Sequence, residues 1–304
     1  MYDGILNVYK EPGFTSFDVV AKLRGILHQK KIGHTGTLDP QAEGVLVICV
    51  GKATKLCDIL PDHDKEYEAT LLLGVTTDTE DMTGEVQKRS DVTATEEEVQ
   101  AVIQSFIGSY EQVPPMYSAI KINGQKLYEL ARQGKVVERQ PRPVTIYELE
   151  IKDIQLPRVI FRIKCSRGTY IRSLCRDIGE QLGCGGCMEK LVRESACGFS
   201  VHDSLRLSEI EAMVQEGRLE QQLHSIDSMY PQYPRIQIAP QWNKLVYNGN
   251  KFQKRHIGKM TEGFQEEEGN QVPYVLVYDA EGIFLGIYEY RLQTQEFVPY
   301  KMFL

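Results

Sequence analysis

No stretch of this 304-residue chain approaches the roughly 20 consecutive apolar residues that a membrane-spanning helix requires. The opening "MYDGILNVYKEPG" lacks a basic segment followed by an apolar core, so no secretory leader is expected. Internal repeats and low-complexity tracts do not stand out. The GxGxxG, P-loop, GxSxG and HExxH patterns are missing, so the commonest catalytic and nucleotide-binding loops lack their parts. The seven cysteines are an odd number, scattered through apolar segments such as "LVICVG" and "FRIKCS". That fits a reducing cytosol better than a disulfide framework. The only CxxC, "CGGC" at Cys184 to Cys187, has no second pair at zinc spacing and reads as a Gly-rich turn after a helix.

What is present is ordinary in bulk and uneven in detail. Hydrophobic residues at 42% and charged residues at 25% describe a globular chain, long enough for one large domain or for one large and one small. The formal charge is -7, which argues mildly against a coat of basic residues. Acid gathers in "DTEDMTGE", "TEEEVQ" and "FQEEEG". Base gathers in "LHQKK", "RQGKVVERQPRP", "RVIFRIKCSRGTYIRSLCR" and "KFQKRH". Such segregation is compatible with one basic face and equally with solvated helix surfaces.

Patterning predicts a helix over "FDVVAKLRGIL", with Phe17, Val20, Leu23 and Leu27 as its stripe and Thr15 or Ser16 as cap. "GVLVICVG" predicts a buried strand, and "TKLCDILP" a short helix ended by Pro61. In "KEYEATLLLG" the alternation puts Tyr67, Ala69, Leu71 and Leu73 on one face. Thr95 with Glu98, and Ser208 with Glu211, form capping boxes for two further helices. Residues 113–149 read as an excursion from the core, with proline pairs, an "NGQ" turn, a short helix ending at Gly134 and several cations. "VIFRIKCS" predicts a strand and "GTYIRSLCRDIGEQLG" a helix ended by Gly183. A proline cluster in "MYPQYPRIQIAP" marks a linker, and "VPYVLVYD", "DAEG" and "IFLGIYEY" predict a hairpin in a small β domain. Strands and helices alternate without a βαβ rhythm, which favours a mixed or antiparallel sheet flanked by helices, an α+β fold.

One stretch carries unusual turn chemistry: "KIGHTGTLDPQAEGVL", Lys31 to Leu46. Glycines allow tight turning before Asp39, and Pro40 holds Leu38 and Asp39 extended. A rigid loop therefore presents one carboxylate at a strand edge, either as an Asx-turn residue or as a reagent.

With that loop stand "KEYEA", "GVTTDTEDMTGEV", "PPMYSAIKINGQKLYELARQG" and "RGTYIRSLCRDIGEQLGCGG". In this order, from about residue 3 to about residue 210, the motifs resemble the TruB family of bacterial tRNA pseudouridine-55 synthases. The resemblance implies a pseudouridine synthase fold over residues 1–230, with an RNA-binding insertion at about 113–149. The tail, 231–304, is similar to a PUA-like domain. It implies an isomerase acting without cofactor or metal on a uridine of the tRNA T arm, turned out of its stack. In such a protein Asp39 is the catalytic aspartate, which attacks C1′ or C6 of the nucleoside or acts as a base. Arg172 is its cationic partner, Tyr67 the aromatic that packs on the uracil and assists C5 proton removal, and Tyr170 and Leu191 further pocket walls. His34 holds the flipped-out conformation, or else acts as an acid–base group. Lys121, Lys126, Arg132, Arg139 and Arg142 are candidate phosphate contacts. Asp78 and Asp81 are turn residues or orienting groups. The implied setting is cytoplasmic, as a monomer, with no protein partner and no membrane. A uridine glycosidase and a non-catalytic RNA-binding protein remain alternatives.

Overall fold

The computed structural model describes residues 1–60, 64–122, 124–261, 264 and 273–304. The chain opens with β1 (Gly4–Lys10), helix α1 (Ser16–Ile26), the short β2 (Ile32–His34) and β3 (Glu43–Val50). A 3₁₀ helix, Gly51–Leu56, leads towards β4 (Lys65–Leu73), the hairpin β5 (Val75–Thr77) and β6 (Val86–Arg89), helix α2 (Glu96–Gln104) and β7 (Gly108–Gln112). A small hairpin, β8 (Lys121–Ile122) and β9 (Gln125–Lys126), precedes α3 (Leu127–Arg132). The long β10 (Arg142–Gln155) and β11 (Arg158–Cys165) follow. After them come α4 (Ile171–Gln181), β12 (Gly186–Ala196), β13 (Phe199–Ser200) and α5 (Leu207–Gln215).

Among the described residues nine strands form one sheet, with the path β1-β3-β12-β4-β11-β10-β7 and with β2 and β13 attached to β3 and β12. Every pairing is antiparallel except β3 with β12, which meet at only two positions, Glu43 with Val192 and Gly44 with Arg193. Gly44 is obligatory at that crossing: its φ is +104°, and a Cβ there would run into the Arg193 backbone. β2 takes the far end of the same β3 edge, through Ile32, Gly33 and His34. The segment between β2 and β3, residues 35–42, therefore leaves the sheet at the fork between β2 and β12.

Two apolar layers cover the sheet on either side of this fork. Leu6, Val8, Leu46, Ile48 and Val50 pack under α1 and α5. Tyr67, Ala69, Leu71, Phe161 and Ile163 pack under α2 and α4, together with Leu38 and Ala42 of the loop. The C-terminal part contributes β14 (Arg235–Ile238), helix α6 (Asn243–Tyr247), β15 (Phe252–Gln253), β16 (Ile257–Met260), β17 (Tyr274–Tyr278), β18 (Phe284–Arg291) and β19 (Glu296–Met302). These six strands form a second sheet, in the order β15-β19-β18-β17-β14-β16. Leu276, Ile287 and Phe303 of this part share a core with Ile5, Val45, Val47 and Cys49 of the large sheet.

Several expectations need correcting. In α1 the inward stripe is Ser16, Val19, Val20 and Leu23, while Phe17 is 65% exposed. Ser16 turns inward because its hydroxyl binds Leu38, which rotates Phe17 to the outside. The box opening α5 is closed by Glu209 on the Arg206 N–H (2.7 Å), not by Ser208 and Glu211. The partly buried Leu207 joins Ile210 and Val214 against the core, so the helix must already have begun at Leu207. The cationic excursion ends near residue 141, because Arg142–Leu149 belong to the sheet strand β10. Pro61 and Asn123 lie outside the described residues, and the short helix before Pro61 is a 3₁₀ turn that stops at Leu56. "CGGC" forms the turn from α4 into β12, with Gly183 and Gly185 at positive φ.

Candidate active site

The loop of residues 35–42 is fastened from below by three side chains. Lys10 is fully buried and donates to the carbonyls of Glu11 (3.2 Å), Pro40 (3.0 Å) and Ala42 (2.6 Å). Burial pushes its ammonium down to about 8, against the pull of Asp39. Arg193, 1% exposed, fills the fork between β2 and β12 and donates to Val45 O (2.7 Å), Gly36 O (3.1 Å) and Thr37 O (3.3 Å). Ser16 closes the third anchor, accepting the Leu38 N–H at 2.8 Å. Backbone that could not pair in the sheet is thus satisfied by buried donors.

On this anchored loop Asp39 faces Arg172, the second residue of α4. Arg172 Nε lies 2.9 Å from Asp39 Oδ2 and Nη2 lies 3.3 Å from Oδ1, a bidentate contact. The remaining donors are engaged as well: Nη2 on Tyr117 O (3.1 Å), and Nη1 on Thr79 O (3.1 Å) and towards Asp81 Oδ2 (3.6 Å). All five N–H groups of the guanidinium are therefore directed, which fixes its plane. Asp81 is itself held, its Oδ1 accepting from Thr79 Oγ1 (2.7 Å), Thr83 N (2.9 Å) and Thr83 Oγ1 (2.5 Å). The neighbouring Glu80, at φ +64°, takes Ser173 Oγ (2.6 Å) and Arg176.

The Arg172 side chain is only 6% exposed, whereas 34% of the Asp39 side chain stays open, deep among protein atoms yet reachable from outside. Burial raises the Asp39 carboxyl above its ordinary range; Arg172 opposes this most strongly, Asp81 adds to it, and Lys10 and Arg193 oppose it. A carboxylate fixed against one rigid cation and open to the outside is placed to act as a nucleophile or a base.

Tyr67 on β4 and Leu191 on β12 lie in the same apolar cluster as Leu38, next to Asp39 in the chain. Burial pushes the Tyr67 phenol up to about 12, while Arg193 beside its hydroxyl opposes the shift. Tyr170 precedes α4 and is clamped through its backbone by Gln112, which accepts its N–H (2.8 Å) and donates to its carbonyl (3.0 Å). Its phenol is raised by burial and feels the charges of Arg172 and Asp39. His34 ends β2 half-buried, and its Nδ1 is buried without a hydrogen-bond partner. Burial and Arg193 hold its imidazole below the usual range, so it is neutral at pH 7.

The expected phosphate contacts divide. Lys121, Arg132 and Arg142 are exposed, and Lys126 and Arg132 flank the Tyr128 ring at 5.3 and 5.5 Å. Arg139 points inward instead, donating to Pro114 O (3.0 Å) and lying 4.0 Å from Glu80. Lys10 and Arg193 are not singled out by the motifs, and Ser16 is so only as a candidate helix cap. The signal was there: alternation in "KLVRE" puts Arg193 on the face of buried Leu191, and in "GILNVYK" it puts Lys10 on the face of Leu6 and Val8.

The overall fold recurs in solved structures. A Cbf5-Nop10-Gar1 complex is similar with a TM-score of 0.72 and 25% identity, covering 99% of this chain and 85% of that one. An H/ACA RNP bound to a substrate RNA containing 2′-deoxyuridine gives 0.71 and 23%, with the same coverage. The architecture is that of the pseudouridine synthases.

Two family descriptions match in succession: the TruB family pseudouridylate synthase N-terminal domain over residues 24–171, and the tRNA pseudouridylate synthase B C-terminal domain over 172–230. The proteins called tRNA pseudouridine synthase B from Lachnoclostridium phytofermentans and Alkaliphilus oremlandii are 54% and 44% identical to it. They cover 99% and 97% of this chain and 100% and 96% of their own lengths. The chain belongs to the TruB family of pseudouridylate synthases and is an isomerase of that kind. Among the described residues no helix is long and apolar enough to cross a membrane.

Proposed function

We propose that this protein converts uridine 55 in the T loop of tRNA to pseudouridine, with the target nucleotide turned out of its stack and Asp39 as the nucleophile. The observation that carries the proposal is the bidentate Asp39–Arg172 contact on a loop anchored by buried donors. The reaction breaks the C1′–N1 bond, rotates the uracil and joins C5 to C1′; N1 gains a proton and C5 loses one. No atoms are lost and no electrons are exchanged with an outside reagent. Arg172 opposes the rise that burial imposes on the Asp39 carboxyl, and attack at C1′ or at C6 fits the same carboxylate.

The everted base needs a new stacking surface, worth roughly 1–3 kcal/mol per base, and Tyr67 and Leu191 provide apolar walls beside the loop. His34, neutral and with an unpartnered nitrogen, is assigned to the space the base leaves. A phenol as weakly acidic as Tyr67 remains protonated. Abstraction of the C5 proton therefore requires its own proton to leave, and Arg193 is the group that lowers that cost. Residues 1–230 are assigned as the catalytic domain and 231–304 as a PUA-like domain, acting in the cytoplasm.

The test is incubation with an unmodified tRNA transcript and chemical mapping of pseudouridine at single-nucleotide resolution. One modified position, in the T loop, is expected. Modification elsewhere would remove the site assignment, and release of free uracil would mean hydrolysis instead of isomerisation.

A further inference from the structure

Four lysines outside the catalytic site converge on one side of the molecule. Lys31 immediately precedes β2, and its carbonyl accepts the Gly51 N–H at 2.8 Å. Lys52 follows at the start of the 3₁₀ helix, and Lys55, three residues on, lies above it, since side chains at that spacing eclipse in such a helix. Lys55 Nζ donates to Met302 O (2.8 Å), which brings in the adjacent Lys301 of β19. Lys31 and Lys52 are exposed, and Lys55 and Lys301 half-buried. Burial above all, and then the charges of Lys31, Lys301 and Lys52, hold the Lys55 ammonium below the usual range. One carboxylate at the edge, Asp3, is directed at the Lys52 backbone N–H (2.5 Å).

A chain with a formal charge of -7 that holds four like charges together keeps them at a cost in self-repulsion, which a bound polyanion would relieve. The position of the cluster says which polyanion. From Lys31, just before β2, to His34 at its end is about 10 Å at strand rise, and the strand leads into the loop of residues 35–42. The insertion, bearing Lys121, Lys126 and Arg132, also meets the site, since Arg172 contacts both Asp39 and Tyr117 O. A nucleic acid seated with one nucleotide at Asp39 would have two groups of cations connected to the same loop, one through β2 and one through Arg172. We propose that Lys31, Lys52, Lys55 and Lys301 form a ridge that seats the sugar–phosphate backbone of the substrate RNA away from its reacting nucleotide. The ridge would join the two sheets of the protein into one RNA-binding surface. This rests on the proposed function, since it takes RNA to be the substrate.

The test is a triple charge reversal, Lys31→Glu, Lys52→Glu and Lys301→Glu, with Lys31→Gln, Lys52→Gln and Lys301→Gln as the milder set. The control places the same charge change at Lys22, Lys88 and Lys152. Binding of unmodified tRNA transcript and turnover are measured across a salt series. The ridge requires at least a tenfold weaker Kd for the reversal, a matching fall in kcat/KM, and a salt slope shallower by about 0.7–0.9 per lysine; the control stays near wild type. A wild-type Kd and salt slope in both ridge variants would overturn the proposal. Absence of pseudouridine from the wild-type reaction would instead overturn the reading beneath it.

Discussion

The loop of residues 35–42 and the cationic insertion both depend on arginine and lysine, and they use them in opposite ways. Around residues 35–42 the cations Lys10, Arg172 and Arg193 are buried, and their donors are directed at the protein's own carbonyls and carboxylates. In the insertion Lys121 and Arg132 stand exposed, and the stem is pinned from α4 through Arg172 on Tyr117 O and Arg176 on Val113 O. Fixed geometry suits a reagent that must hold one position to a fraction of an ångström. Free cations suit a phosphate backbone, which is gripped by charge and not by fixed geometry. Arg172 belongs to both regions, so a single guanidinium ties the placement of Asp39 to the root of the insertion.

The contrast can be broken most severely at that shared residue. Arg172→Met leaves Asp39 and Asp81 facing each other without their cation, and removing one partner of a buried pair typically costs about 3–5 kcal/mol. Turnover is expected to fall by about a thousandfold, from lost charge stabilisation and misplacement together, and denaturant unfolding to show a loss near 3 kcal/mol. Wild-type stability would mean that the pair is dispensable to the fold. Next is Tyr67→Phe, which keeps the ring and removes the hydroxyl. A fall in kcat of about a hundredfold with RNA affinity nearly unchanged is expected; equal losses in both would leave Tyr67 a stacking surface alone.

Arg193→Met sharpens the loop side. It strips the carbonyls of Gly36, Thr37 and Val45 of their donor, at about 1–3 kcal/mol for each group left unsatisfied. A clear drop in Tm with a smaller, roughly tenfold, loss of turnover is expected, and an unshifted Tm would show that the loop holds itself. The smallest effect belongs to the insertion. Lys121→Ala with Arg132→Ala should weaken RNA binding a few-fold and flatten its salt dependence by about one per residue, leaving stability unchanged.

How far the sequence was readable follows the same division. Strands such as β3 and β4 declare themselves by runs and alternation, and the Thr95–Glu98 box was seen in place. The juxtaposition of Asp39 with Arg172, 133 residues apart, came only through resemblance, because no local pattern encodes contacts across a sheet. Phe17 departs from expectation because the hydroxyl of Ser16, bonded to Leu38, takes the inward face of α1. Arg139 does so because charge alone does not reveal that a cation already has a buried acid and a carbonyl beside it. Lys10 and Arg193 are hard to read for a related reason. A cation on the apolar face of a strand signals buried carbonyls awaiting donors, and it is visible only when strand alternation is read for its exceptions.

The most direct measurement is single-turnover pseudouridine formation by Asp39→Asn on unmodified tRNA transcript, with RNA affinity determined on the same preparation. The amide keeps the size of the side chain and loses its negative charge. Product formation at background with a Kd close to wild type is the expected result. Turnover within tenfold of wild type would contradict Asp39 as the nucleophile, and with it the reason for so firmly anchored a loop.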